Sequence, residues 1–271
     1  MMLATDLDRT LIANGHDPDD GSLPKLLELI KENGITLTYV SGRSIDLLYR
    51  AIEKYKLAIP EYFIGAVGTE MYKKEGESLK EFVPWVEEIR RKNPSWSSKD
   101  IIKNVGQVPP LVLQEESLQN NYKTSYYLDE SGVETDTRKD ILNHLQKVLA
   151  DMGLEAEIVY SFDPLKKKGL VDIVPTSATK LTALGFLRKQ LRLEKGEIVY
   201  AGDSGNDVTV LSACYKGIIV KNASDEVKEA VVSKRKSNTC LDSLYIAKGY
   251  QGLNGNYSSG ILEGLKHFGA I

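Results

Sequence analysis

The sequence is poor in cysteine. Its 271 residues hold two, Cys214 and Cys240, without the spacing of a metal site. That scarcity argues against a disulfide framework and suits a reducing cytoplasm, the compartment expected for this chain. Net positive charge is lacking too: 35 Lys and Arg stand against 38 Asp and Glu, a formal net charge of -3. No global field therefore favours nucleic acid or an anionic membrane, and neither is expected as a partner. No apolar run approaches the roughly 18 residues that a membrane span needs. The opening Met1-Met2-Leu3-Ala4-Thr5-Asp6 has no basic stretch followed by an apolar one, so no signal peptide is expected. Internal repeats are not evident. What remains is ordinary globular composition, 42% hydrophobic and 27% charged, in a length that suits one large domain or two smaller ones. An acidic chain that handles anionic substrates must gather positive charge locally, through a metal ion or a few placed Lys and Arg side chains.

Short apolar strands alternate with helical patterns at both ends. After the apolar run Met2 to Thr5, the spacing of Leu23, Leu26, Leu27 and Ile30 predicts a helix over 23–33, with Gly34 as its stop. Ile35 to Val40 reads as a strand, Ser44 to Tyr55 as a helix and Tyr62 to Ala66 as a strand. The rhythm resumes near Gly169: Leu170 to Val174 strand, Lys180 to Leu191 helix, Glu197 to Ala201 strand, Val208 to Ala213 helix, Gly217 to Val220 strand. An α/β protein is predicted, in which both ends share one Rossmann-like, doubly wound parallel sheet. The middle reads as an α+β insertion. Helices are expected over Glu81 to Lys92, with Pro84 in the first turn, and over Ile141 to Met152. Strands are expected over Lys123 to Leu128 and Ala156 to Tyr160, with a loop-rich Asn93 to Gln107. The core is thus predicted at 1–80 and 172–271 and the insertion at 81–171. Pro109-Pro110 and the run Lys166 to Lys168 read as punctuation and solvated surface.

Chemistry concentrates at strand ends. Asp6-Leu7-Asp8-Arg9-Thr10 follows the first strand, and in an open α/β sheet ligands bind just outside the carboxyl ends of strands. Gly202-Asp203-Ser204-Gly205-Asn206-Asp207 follows the strand EIVYA. A polar turn explains either motif alone; two such loops at strand ends are poorly explained that way. The carboxylates Asp6, Asp8, Asp203 and Asp207 make a hard oxygen site suited to Mg²⁺, with substrate phosphate and water completing the shell. Ser41-Gly42-Arg43 follows a third strand and offers a hydroxyl and backbone N–H groups to phosphate at a helix start. Lys180, at another helix start, adds a compact point charge. A helix cap and a solvated lysine are the plainer readings of Ser41 and Lys180 taken singly.

In this order, Asp-x-Asp-x-Thr, a strand-end Ser, a Lys and Gly-Asp-x-Gly-Asn-Asp resemble the four motifs of the haloacid dehalogenase-like superfamily. The interval from Thr10 to Ser41 is too short for a cap domain, whereas that from Ser41 to Lys180 is not, which resembles the branch with an α+β cap between the second and third motifs. Within it the chain is most similar to sucrose-phosphate phosphatases, through TYVSGRS at 38–44, AVGTEMY at 66–72, KTSYYLD at 123–129 and GILEGLKHF at 260–268. Arg9 departs from the Gly or Asn of many relatives, and GYQGLNGNY at 249–257 has no counterpart among these stretches.

The resemblance implies an Mg²⁺-dependent phosphatase with Asp6 as nucleophile and Asp8 as acid and base. Asp6, the Asp8 carbonyl and Asp203 would hold the metal, and Asp207 its water or Lys180. Ser41, Gly42, Lys180 and Asn206 would bind phosphate. Glu70, Lys123 and the tyrosines Tyr126 and Tyr127 are candidate contacts to sugar, although packing in a strand is the plainer reading of the two tyrosines. The substrate implied is sucrose 6-phosphate. Another glycosyl-sugar phosphate, such as mannosylfructose phosphate or glucosylglycerol phosphate, and a hexose phosphomutase activity are the alternatives. A monomer is the expected state, and docking of a sucrose-phosphate synthase is left open.

Overall fold

The structure, a computed structural model, describes residues 1–105, 108, 110–129, 135–163 and 167–271. Five strands come first: β1 (Met2–Thr5), β2 (Thr36–Val40), β3 (Tyr62–Gly65), β4 (Glu70–Glu75) and β5 (Ser78–Glu81). The middle carries β6 (Leu111–Leu113), β7 (Thr124–Asp129), β8 (Ala156–Asp163) and β9 (Lys168–Pro175). β10 (Ile198–Gly202), β11 (Lys216–Ile219) and β12 (Leu244–Ile246) follow. The helices are α1 (Leu23–Glu32), α2 (Ile45–Tyr55), α3 (Val83–Lys92), α4 (Ser98–Val105), α5 (Thr135–Asp151), α6 (Lys180–Gln190), α7 (Val208–Leu211), α8 (Asp225–Ser237) and α9 (Tyr257–His267).

Hydrogen bonds order one sheet β12-β11-β10-β1-β2-β3-β4-β5 and a second β6-β7-β9-β8. From β12 to β3 the larger sheet is parallel, and β4 and β5 add an antiparallel edge. Strand order reverses at β1, which lies between β2 and β10; such a switch point opens a crevice at the carboxyl ends of the strands.

Alternation along the strands puts side chains on both faces. Met2, Ala4, Ile198 and Tyr200 pack with Trp85 and Ile89 of α3, Ala183, Leu184 and Leu187 of α6, and Val227 and Val231 of α8. Leu3, Val199 and Ala201 pack instead with Leu26 and Ile30 of α1, Leu48 and Ala51 of α2, and Ile261 and Leu265 of α9. Helices on both faces make this the expected doubly wound α/β fold. The smaller sheet has its own core, in which Tyr126, Leu128, Val171 and Ile173 meet Ile101 and Val105 of α4 and Ile141, Leu145 and Leu149 of α5.

Three expectations need correction. Leu170 to Val174 does not join the parallel sheet: β9 pairs antiparallel with β7 and β8. A buried apolar strand reads alike in either sheet, so local sequence does not assign it. The loop-rich reading of Asn93 to Gln107 gives way, over Ser98–Val105, to α4, whose buried Ile101 and Val105 stand one turn apart. The two cysteines, set aside as a disulfide, are bonded: Cys214 and Cys240 are 26 residues apart in sequence and 5.7 Å apart at Cα. Pairing is a property of tertiary distance rather than of cysteine count. Gln107, Pro109 and Lys166 lie outside the described residues. No described helix is long and apolar enough to cross a membrane.

Candidate active site

Asp6 continues β1 by one residue, its N–H donating to Ala201 O at 2.9 Å. The chain then turns on Leu7 O, which accepts from the N–H groups of Thr10, Leu11 and Ile12. Asp203 stands just past β10, and Asp207 closes the tight turn that follows. A Cβ on Gly202 would come within 2.7 Å of Asp207 Cβ, so only glycine lets this carboxylate tuck against the strand. Lys180 opens α6 behind the Thr179–Thr182 capping box. Gly68, at φ +114°, packs so tightly here that a Cβ would lie 2.1 Å from the Thr179 carbonyl carbon. That close approach seats the start of α6 over the strand ends.

These elements converge on Lys180. Its Nζ donates to Asp6 Oδ1, Asn206 Oδ1 and Asp207 Oδ1, each at 2.8 Å. Asp207 is saturated: Oδ1 also accepts from Tyr200 Oη at 2.6 Å, and Oδ2 accepts from the N–H groups of Asp203 and Ser204 and from Ser204 Oγ. Asp203 differs. Its Oδ1 accepts from Thr10 Oγ1 at 2.7 Å, while Oδ2 is buried with no hydrogen-bond donor among the described residues, the Arg9 guanidinium standing 3.7 Å away.

Electrostatics follow from this crowding. Burial pushes Asp6 well above the usual carboxylate range; Lys180 pulls it back, and Asp207, Asp203 and Asp8 push it up again. Burial, then Asp207, raises Asp203 to about 7. For Lys180 burial acts downward, but Asp207 and Asp6 outweigh it and hold the ammonium charged. Asp6, Asp203 and Asp207 place carboxylate oxygens within 4.8 Å of one another. So many buried acids around one ammonium call for further positive charge. A hard divalent cation fits: Asp203 Oδ2 is a buried oxygen without a donor, and oxygen ligands are what Mg²⁺ takes. Asp207, whose oxygens already serve five donor contacts, fits the role of orienting Lys180 better than that of direct ligand.

Asp8 stands apart from this cluster in a pair with Arg43. Arg43 Nε donates to Oδ2 at 2.7 Å and Nη2 to Oδ1 at 2.6 Å, and Asn14 Nδ2 donates to the same Oδ1. Buried Ser41 accepts the Arg43 N–H on its Oγ at 3.3 Å. Asp6, Asp8, Ser41, Gly42, Asp203 and Asn206 all line one cavity of about 440 Å³. From the smaller sheet Tyr127, Phe162 and Asp172 line it too, together with Lys123 just before β7. Lys123 Nζ is 3.3 Å from Asp172 Oδ1, and Ser125 Oγ donates to that same oxygen.

Two candidate sugar contacts, Tyr126 and Glu70, are not among the residues that line this cavity. Tyr126 is fully buried in the core beneath the smaller sheet, while Tyr127 faces the cavity. Side chains alternate along β7, so Lys123, Ser125 and Tyr127 share one face and Tyr126 takes the other. Glu70 is not part of the cavity lining. Its Oε1 accepts from Asn120 Nδ2 at 3.0 Å, and the same amide also donates to Thr69 Oγ1, joining the edge of the larger sheet to the segment before β7. Sequence reasoning assigned no role to Tyr200, Asn14, Asp172 or the Arg43 side chain. A signal existed for Tyr200, a polar tip in an otherwise apolar strand; Asn14 and Asp172 carry none that is local.

A family model described as sucrose-6F-phosphate phosphohydrolase matches residues 1–269. The chain belongs to the sucrose-6F-phosphate phosphohydrolase family. Members similar to it include sucrose-phosphatase 1 of Nicotiana tabacum, 33% identical over 237 residues, which are 84% of this chain and 51% of the tobacco protein. The chain thus spans about half the length of that plant phosphohydrolase. A mannosylfructose-phosphate phosphatase of Agrobacterium fabrum is 28% identical over 269 residues, 99% of this chain and 96% of its own. Among solved structures, the sucrose-phosphatase of Synechocystis sp. PCC6803, determined in complex with sucrose and phosphate, superposes with a TM-score of 0.79 at 25% identity. That alignment covers 99% of this chain and 98% of the cyanobacterial one.

Proposed function

We propose that this phosphatase-family chain hydrolyses the phosphomonoester of a sugar phosphate, sucrose 6-phosphate first among them, through a phosphoryl group carried on Asp6. The observation that carries the reading is the buried contact of Lys180 with Asp6 and Asp207 beside a donor-free Asp203 oxygen, at the switch point of the sheet.

An Asp6 carboxylate oxygen attacks phosphorus, forming an O–P bond as the bond from phosphorus to the sugar oxygen breaks. Asp8, in its acid form, gives its proton to the departing sugar oxygen. The Asp8 carboxylate then takes a proton from water, whose oxygen attacks phosphorus, and the bond to Asp6 breaks to release phosphate. Arg43 and Asn14 hold the Asp8 carboxylate in place between these steps. Ser41 donates to a phosphoryl oxygen, and Lys180 does so by exchanging one of its three contacts, that with Asn206, for another; the charge on these oxygens is the main catalytic burden. Asp6, Asp203 and the Asp8 carbonyl would hold Mg²⁺, which supplies the remaining positive charge on those oxygens.

The segment 81–171 with its adjoining strands serves as a cap over the core at 1–80 and 172–271, and its closure excludes water from phosphoryl transfer. Lys123, just before β7, and Tyr127, on its cavity face, contact the sugar. A mannosylfructose phosphate substrate is the second reading, favoured by the Agrobacterium relative, which matches over nearly its whole length.

Phosphate release with Mg²⁺ from sucrose 6-phosphate, mannosylfructose phosphate and glucose 6-phosphate tests the substrate, with Asp6→Asn as control. Turnover should require Asp6 while Asp6→Asn still binds substrate. An active Asn variant removes Asp6 as nucleophile, and isomerised hexose phosphate in place of released phosphate turns the reading to a mutase.

A further inference from the structure

Loop 247–256, between β12 and α9, includes the stretch at 249–255 that carries no role in the reaction above. Its backbone is tightly built. Gly249, Gln251, Gly252 and Gly255 all take positive φ, and a Cβ on Gly255 would meet Gly249 N at 2.7 Å. Asn254 ties it to the chain after the first motif, its N–H donating to Asp20 Oδ2 and its amide to Pro18 O. This folded loop forms one wall of a second cavity of about 340 Å³, near the lower end of the roughly 300–1,000 Å³ common for small-molecule sites.

The lining has a distinct chemistry. Tyr250 is 61% exposed, an aromatic face left to solvent at the cavity. Tyr245 and His267 stack with ring centroids 4.4 Å apart. Glu263 is 3% exposed yet reaches the lining, its Oε1 accepting from Tyr245 Oη and Lys248 N–H and its Oε2 from Gly249 N–H. A carboxylate has about four lone-pair positions, so Oε2 retains acceptor capacity. Gln251 and Lys266 add donors.

Each ligand class meets this lining differently. An anion would meet the Lys266 ammonium, but against it the Glu263 carboxylate and the negative end of the α9 dipole. A purely apolar ligand would cover the Lys266 ammonium and the remaining hydrogen-bonding capacity of Gln251 and Glu263 and offer nothing in return. A neutral ring with apolar faces and a hydroxylated edge satisfies both demands, stacking on Tyr250 while its hydroxyls bond Glu263, Gln251 and Lys266. We propose that the cavity between loop 247–256 and the end of α9 is a second saccharide site, separate from the cavity at Asp6.

Titration of the ¹⁵N-labelled full chain with sucrose and with glucose tests this. At least one of them should produce saturable shifts at Tyr245, Gln251 and His267. Tyr250→Ala should weaken those shifts by about tenfold or more, the equivalent of one lost stacking contact, and leave phosphate release unchanged. Gln251→Ala, also on the surface, should weaken them to a lesser degree. Shifts confined to the Asp8 and Lys123 cavity, or peripheral shifts that survive Tyr250→Ala unaltered, overturn the proposal. Neither readout depends on turnover, so the catalytic reading stands or falls separately.

Discussion

Arg43 grips Asp8 with two parallel hydrogen bonds, Nε to Oδ2 at 2.7 Å and Nη2 to Oδ1 at 2.6 Å. Burial acts against the guanidinium charge, but the Asp8 bond and charge outweigh it and hold Arg43 firmly protonated. The fork fixes the carboxyl plane as well as its position. Asn14 completes the clamp from the loop after the first motif, bonding both Asp8 Oδ1 and the Arg9 N–H.

Replacing Arg43 with Lys keeps the charge and removes the planar fork. Asp8 is then less well oriented, and kcat should fall by about 10- to 100-fold, less than the roughly 100- to 10,000-fold that a positioned acid–base group supplies in full. KM should move much less. Steady-state kinetics check this; an unchanged kcat would show that Asp8 needs no such clamp.

Metal and pH should be linked through Asp203. Its acid form persists to about 7 in the folded protein because of burial and the neighbouring Asp207. An acid whose value is raised by folding favours the folded state below its unfolded value near 3.9, and that contribution is lost as pH rises through about 7. Metal-free protein should therefore lose melting temperature across that window. Added Mg²⁺ should restore more of it above the window than below, because protons compete for the same oxygen. Melts in chelator and in Mg²⁺ across this range measure the effect, and an Mg²⁺ gain independent of pH would remove Asp203 from the ligand set.

The adjacent tyrosines of β7 should behave as opposites. Tyr126→Ala empties a fully buried site and should destabilise by about 3–5 kcal/mol, as other large aromatic truncations do. Tyr127→Ala should unfold near the parent temperature and raise KM for the sugar phosphate about tenfold, one stacking contact's worth, while KM for a small aryl phosphate stays put. Denaturant melts and paired kinetics separate the two; equal effects on both substrates would place Tyr127 outside sugar recognition.

The Cys214–Cys240 bond closes a loop that contains α8. A closure of 26 residues should contribute about 3–4 kcal/mol by restricting the unfolded chain. Reductant, or Cys240→Ser, should lower the unfolding free energy by that order and leave phosphate release at low temperature intact. An unshifted denaturation midpoint would mean that the packing of Arg235 alone holds this corner. Arg235, fully buried, donates to the carbonyls of Leu211, Tyr215 and Cys240.

The strand-end chemistry was legible in the chain alone. Asp6, Ser41 and Asp203 each follow a recognisable apolar strand, and a parallel sheet brings successive strand ends to one edge, so local pattern and one topological rule suffice to gather them. Lys180 was legible for the same reason, through the helix start that presents it. Tertiary structure decided the rest. Whether Tyr126 or Tyr127 faces the cavity depends on which face of β7 is covered by α4 and α5, and a one-residue change of parity reverses the answer. Glu70 reads as a candidate sugar contact, and nothing along the chain tells that Asn120, 50 positions away, donates to its Oε1. The Asp8–Arg43 fork, the donor-free Asp203 oxygen and the Cys214–Cys240 bond are likewise relations between segments distant in sequence. Periodicity and spacing describe the chain's neighbours along its length; these contacts arise only once packing has chosen its neighbours in space.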